Sequence, residues 1–287
     1  MKKISTGIAG LDSLLDGGVY KGHVISLVGS AGTGKTLSCL AFLRQGIAEG
    51  HDCIYISLEE SAEQLIREAE GMGWGEFRKA MDDEKFTILE ASGKNFSDFI
   101  KNDLPLFVDN YRGPFARIAV DPLAPVIWSI PDKYSQRNII SFMFNSLKKI
   151  GTVMVTVEEH TPTGEETLIP IYLSDTVIHL NYAGLGATIS RTLRIIKSRN
   201  SWHSHISHPY SIIHGIGPVI LSSEQHEREK EPNREIIEAF NRMREDIPRK
   251  YRKRVEEIIK NITVGQTGAI EPEKFISLIL KQIKGQY

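Results

Sequence analysis

The chain has 287 residues, 41% of them hydrophobic, enough for one substantial core and a small appendage but not for two full domains. Lysine plus arginine (35) nearly cancel aspartate plus glutamate (36), so a net charge of -1 provides no global field for a polyanion. The start, MKKISTGIAGLDSLL, lacks a continuous apolar stretch and no later segment is long and apolar enough to span a bilayer, so a soluble, cytoplasmic protein without membrane insertion is expected.

In chain order, short β-branched runs alternate with helical patterns: strands are expected at His23–Val28, Cys53–Ser57, Phe86–Glu90, Arg117–Val120, Thr152–Val157 and Thr176–Leu180. Helices are expected over Thr36–Glu49, over Ser61–Glu70 behind a Ser61/Gln64 capping box, and within Ser135–Ile150. The fold class is therefore α/β, with a parallel-core sheet and flanking helices. Strands at Thr192–Lys197, Ser211–His214 and Pro218–Leu221 follow without intervening helices, which implies an antiparallel extension. Beyond about Glu224 apolar stripes such as Ile236/Phe240/Met243 recur at helical spacing, so three short helices are expected. The division expected is 1–222 for the α/β domain and 223–287 for a helical extension. Cys39 and Cys53 sit in apolar settings without CxxC spacing and read as buried, reduced thiols.

The segment GSAGTGKT matches G-x-x-x-x-G-K-[ST] between a strand and a helix, the context a phosphate-binding loop needs. Its expected nucleotide contacts are Gly29, Ser30, Ala31, Gly32, Thr33, Gly34, Lys35, Thr36 and Leu37. Glycines let backbone N–H groups converge on phosphate oxygens, and the helix N-terminus adds its positive end. Lys35 reaches the β- and γ-phosphates of ATP, and Thr36 offers its hydroxyl to Mg²⁺. The apolar run RIAVD ends in Asp121, where a second Mg²⁺ partner would stand. IYISL ends in Glu59 and Glu60 at the carboxyl edge of the sheet, where Glu59 suits a base acting on water. Glu60 reads as a candidate beside it, more readily explained as a solvated loop residue.

TGIAGLDSLLDGGVYKGHVISLVGSAGTGKT, YISLEESAEQLIREAEGMGW, LSDTVIHL and TLRIIKSRNSWH together resemble the KaiC-type branch of the RecA/RadA ATPase superfamily, over about residues 4–222. The resemblance implies a RecA core, ATP hydrolysis with the first paired glutamate as base, and a ring of subunits, usually a hexamer. It also implies that Lys197 and Arg199, matching the Lys and Arg of the family's KMR string, reach the ATP of an adjacent subunit. The departures are Pro122 where the family usually has Ser, Ser198 and Asn200 in place of Met and Gly, and one ATPase module without the Ser-Thr phosphorylation pair, so a circadian role is not implied. Two alternatives stay open: a nucleotide-binding switch with little turnover and an unidentified protein partner, and a RadA paralogue binding single-stranded DNA. Nucleic acid is not favoured, because EEHTPTGEE, with Glu158, Glu159, Glu165 and Glu166, repels phosphates, although Trp128, Lys133 and Arg137 offer a stacking surface. The helix face around IPRKYRKRVEE reads as solvated. His203, His205 and His208 lack a neighbouring Cys or carboxylate, and a zinc site is disfavoured.

Overall fold

The structure is a computed structural model that describes residues 2–91, 96–130, 132–159, 168–185, 188–220, 233–260, 262 and 271–284. Glu165, Glu166 and the charged stretch after Ile220 lie outside them. The chain forms two compact units, Met1–Leu221 and Ser222–Tyr287.

The first unit is built on a nine-stranded sheet in the order β11-β10-β9-β8-β3-β7-β6-β4-β5. Its parallel core comprises β3 (Val24–Gly29), β4 (Cys53–Ser57), β5 (Phe86–Glu90), β6 (Ala116–Asp121), β7 (Gly151–Glu158) and β8 (Thr176–Leu185). β9 (Thr188–Ser198), β10 (Ser207–Ile213) and β11 (Gly217–Ile220) add to β8 in antiparallel order. The alternation of apolar strands and amphipathic helices dictates this arrangement. β3, β4 and β6 are buried at every position, as strands covered on both faces must be.

α1 (Leu11–Leu14) belongs to the N-terminal segment, and α2 (Lys35–Ala48) follows the phosphate loop. α2 is buried nearly all round, including Cys39, Leu40, Phe42 and Leu43, because the N-terminal segment crosses its outer side. At that crossing Gly7 has φ +71°, and a Cβ there would come within 2.4 Å of the Ala41 carbonyl oxygen, so only glycine allows the approach. α3 (Ala62–Gly71) starts where Ser61 Oγ accepts from the Gln64 amide at 3.3 Å. α4 (Glu76–Asp82), α5 (Leu104–Asn110, which continues helical turns over Phe96–Asp98 and Phe99–Asp103), α6 (Ala124–Trp128), α7 (Lys133–Lys148) and α8 (Leu168–Leu173) follow.

Sequence patterning missed the pair β1 (Lys3–Ile4) and β2 (Val19–Tyr20), α4, α5 and α6, all too short to show a period. β10 starts earlier than expected, at Ser207, and His203 and His205 lie before it, not on a strand face; their rings meet edge to face at 4.8 Å. Among the described residues no three His, Cys, Asp or Glu side chains converge as a metal site. Cys39 and Cys53 are buried and unbridged. Among the described residues no helix is long and apolar enough to cross a membrane.

The second unit packs α9 (Arg234–Met243), α10 (Arg249–Lys260) and α11 (Pro272–Lys284) around Ile236, Phe240, Val255, Ile259 and Ile276. Asn233 Oδ1 caps α9 by accepting from the Ile236 amide at 3.2 Å.

Candidate functional site

Three parallel strands, β3, β4 and β6, end at one edge of the sheet, and a pocket of about 410 Å³ opens there. The phosphate loop forms its floor. Gly32 and Gly34 take φ values of +78° and +89°, which an L side chain rarely adopts, so the loop's curvature depends on glycine. Lys35 is only 7% exposed, and its Nζ donates to the carbonyls of Gly29 at 2.9 Å and Ser30 at 3.0 Å. Burial pulls its pKa down, while Glu158 and Asp121 pull the other way.

Asp121 ends β6 and is 7% exposed. Its Oδ2 accepts from Thr36 Oγ1 at 2.7 Å and from Tyr55 Oη at 2.6 Å, and Oδ1 accepts from Thr156 Oγ1. All three donors are hydroxyls. Among the described residues no lysine or arginine forms an ion pair with this carboxylate, although the buried Lys35 is near enough to feel its charge. Burial and the adjacent Asp121 drive the Tyr55 phenol well above its usual pKa, which keeps it a donor. A hard divalent cation with oxygen ligands fits this donor set: one carboxylate, one threonine hydroxyl, and open pocket for waters and phosphates.

Glu59 and Glu60 follow β4, and both line the pocket. Glu59 is exposed at the rim. Glu60 corrects the expectation of a solvated loop residue: it is half-buried, and its Oε2 is enclosed without a hydrogen-bond partner. The cause is local, since Ser57 Oγ donates to the Glu60 carbonyl at 2.5 Å and fixes the turn. Burial, with Glu68, Asp121 and Glu59 nearby, raises the Glu60 pKa to about 6. Glu68 on α3 is raised as well, by burial and by Asp121.

Glu68, Tyr55, Thr156 and Arg191 escaped the sequence reading. Tyr55 and Thr156 left a trace, as polar interruptions in the apolar runs IYIS and VMVTV. Arg191 on β9 lies opposite Tyr182 on β8 and donates to the Gly32 carbonyl at 3.3 Å, a contact visible only once the antiparallel strands are paired.

Lys197 and Arg199 are elsewhere. Lys197 pairs with Val177, next to Thr176, which adjoins Ile25 at the start of β3, whereas the phosphate loop follows its end. Lys197 Nζ donates to the carbonyls of Ile171 at 2.7 Å and Tyr172 at 3.4 Å; Arg199 Nη2 reaches Tyr172 O at 3.2 Å. The two cations therefore converge, but far from their own chain's pocket.

A family model described as the KaiC ATPase matches residues 4–225. The chain belongs to the KaiC ATPase family. It is 30% identical over 222 residues to the circadian clock oscillator protein KaiC of Acaryochloris marina, covering 73% of this chain and 42% of that protein. It is 30% identical over 228 residues to the protein of the same name from Thermostichus vulcanus, covering 75% and 44%. The circadian clock protein KaiC3 of Synechocystis sp. is 25% identical over 238 residues, covering 77% and 46%. The chain thus spans less than half the length of these relatives. With this membership, the mostly parallel sheet and its flanking helices are those of an ATP-binding, RecA-like ATPase domain.

Proposed function

We propose that this KaiC-family chain hydrolyses ATP with Mg²⁺ and completes its active sites by self-association. The observation that carries the reading is the Thr36–Asp121 contact of 2.7 Å within the phosphate-loop pocket, a hydroxyl and a buried carboxylate placed together as a divalent cation would need them. Thr36 would hold Mg²⁺ directly and Asp121 would hold it through water; when bound, the ion neutralises charge on the β- and γ-phosphate oxygens.

The residues Gly29 to Leu37 bind the phosphates through backbone N–H groups at the start of α2, and Lys35 adds its charge. Glu59, at the rim, orients a water molecule and accepts its proton as the oxygen attacks the γ-phosphorus. The bond to the β,γ-bridging oxygen breaks, leaving ADP and phosphate. Glu60 lies beside that base, with Glu68 close to Glu60. Lys197 and Arg199, remote from their own pocket, serve the nucleotide of a neighbouring copy, where a cation supplied in trans stabilises charge on the transferred group by roughly 10³–10⁵ in rate. Residues 1–222 form the ATPase module and residues 223–287 an appended helical unit.

The test is complementation. A Lys197→Ala/Arg199→Ala variant should bind ATP without releasing phosphate, and mixing it with Lys35→Ala subunits should restore part of the rate. A wild-type rate independent of protein concentration, in a protein that stays monomeric with ATP, would remove the trans role.

A further inference from the structure

The same strands that end at the phosphate loop begin at a second cavity, of about 370 Å³, on the opposite edge of the sheet. Arg117 is the second residue of β6 and Thr152 the second of β7; Lys21 precedes β3 and His51 precedes β4, while Lys2 comes from the N-terminal segment. The chemistry of this wall differs from that of the ATP pocket.

Arg117 is 1% exposed and fully engaged: Nη1 donates to Ser5 O at 2.6 Å, Nη2 to Glu49 Oε2 at 2.6 Å, and Nε to His51 Nδ1 at 3.4 Å. Glu49 is the carboxylate among the lining residues; its Oε2 accepts from Arg117 and lies 3.5 Å from His51 Nδ1. Lys3 is likewise matched by Asp16 at 3.0 Å. Lys2 and Lys21 are exposed, form no ion pair among the described residues, and line the same concavity. Lys21 Nζ lies 4.2 Å from the centre of the Phe115 ring, which anchors the ammonium at the cavity mouth. The sum is a concave surface with surplus positive charge, a hydrogen-bonding imidazole and a rigid arginine behind it. Clefts of one sign focus potential and concentrate the opposite ion.

We propose that this cavity is a second ligand site, distinct from the ATP pocket, that takes a small phosphate-bearing molecule between Lys2, Lys21 and His51. Arg117 is its positioning residue: held by backbone carbonyls and Glu49, it fixes the imidazole that faces the anion. The His51 ring reports the field directly. Its pKa is lowered by burial and by the charges of Arg117, Lys21 and Lys2, with Glu49 opposing, so an anion seated among them must move it upward.

The experiment follows the His51 ring protons of the full chain by NMR, assigned with His51→Gln, while inorganic phosphate is titrated against sodium chloride of equal ionic strength. The expected result is a saturable shift and an upward move of the ring's titration midpoint with phosphate alone. Lys2→Glu/Lys21→Glu should abolish both effects while leaving the melting curve and ATP affinity unchanged, since both side chains are exposed. In Lys35→Ala, which removes phosphate from the ATP pocket, the response should persist. A ring that answers phosphate no more than chloride, a response that survives the double substitution, or one that vanishes in Lys35→Ala would each overturn the proposal.

Discussion

β6 carries a buried charge at each end, and the two ends are treated differently. Arg117 at its start meets a carboxylate and two backbone carbonyls, so the cation is compensated where it stands. Asp121 at its finish accepts from the hydroxyls of Thr36, Tyr55 and Thr156 and, among the described residues, has no ion pair. Removing one partner of a satisfied buried charge leaves the others unpaired and costs stability, whereas a buried charge held by hydroxyls without an ion pair is a candidate for binding a ligand. The comparison makes the two ends separable by mutation, one in activity and the other in stability.

The largest effect should fall at the Asp121 end. Glu59→Gln removes the proton acceptor and should lower steady-state phosphate release by roughly 10²–10⁴ while ATP affinity stays within a few-fold. Unchanged turnover would transfer the role to Glu60. Next comes Lys35→Ala, which deletes a charge-assisted phosphate contact and should weaken ATP binding by on the order of 100-fold, with the melting temperature without nucleotide little altered. Titration calorimetry separates those outcomes.

At the other end, Arg117→Met should destabilise the protein by about 3 kcal/mol in denaturant melts, because Glu49 and two carbonyls lose their donor. The cost stays near the low end of the usual range since Glu49 is 33% exposed and water recovers part of its solvation. ATP affinity should not change; a large loss would mean that the two ends are coupled.

The smallest effect concerns Glu60. Its folded carboxyl titrates near 6 and the unfolded one near 4.5, so the folded state holds the extra proton between those values. Stability therefore falls as pH rises through that window, and the full cost is present above pH 6. Glu60→Gln should match wild type near pH 4.5 and melt higher by on the order of a few degrees at pH 7. An equal difference at both pH values would contradict the burial of Oε2.

The contrast also shows how much the residues disclosed in advance. The phosphate loop was legible because its chemistry is contiguous: Gly29 to Thr36 is one turn between one strand and one helix. Asp121 and Glu59 stand at strand ends, which a parallel sheet gathers at one edge, but a strand end alone is a weak signal and it was the phosphate loop upstream that singled Asp121 out. The environment of Glu60 was not, since its enclosure depends on Ser57 holding the turn and on Glu68 arriving from the next helix. Tyr55 and Thr156 read as ordinary strand residues until β4, β6 and β7 are set side by side. The Arg117 cavity was illegible for the same reason: Lys2, Lys21, His51 and Arg117 share no spacing, only the starts of neighbouring strands and the segment crossing them. The three helices after residue 233 were visible as apolar stripes because each is long enough to repeat.

The role of Asp121 in holding Mg²⁺ is tested most directly by ATP affinity with Mg²⁺ and with a chelator, in wild type and in Asp121→Asn. The amide conserves shape and removes the charge. Wild type should bind ATP at least about tenfold more tightly with Mg²⁺, and Asp121→Asn should lose most of that gain while binding metal-free ATP about as well. An Asp121→Asn protein whose Mg²⁺ gain equals that of wild type would contradict the account.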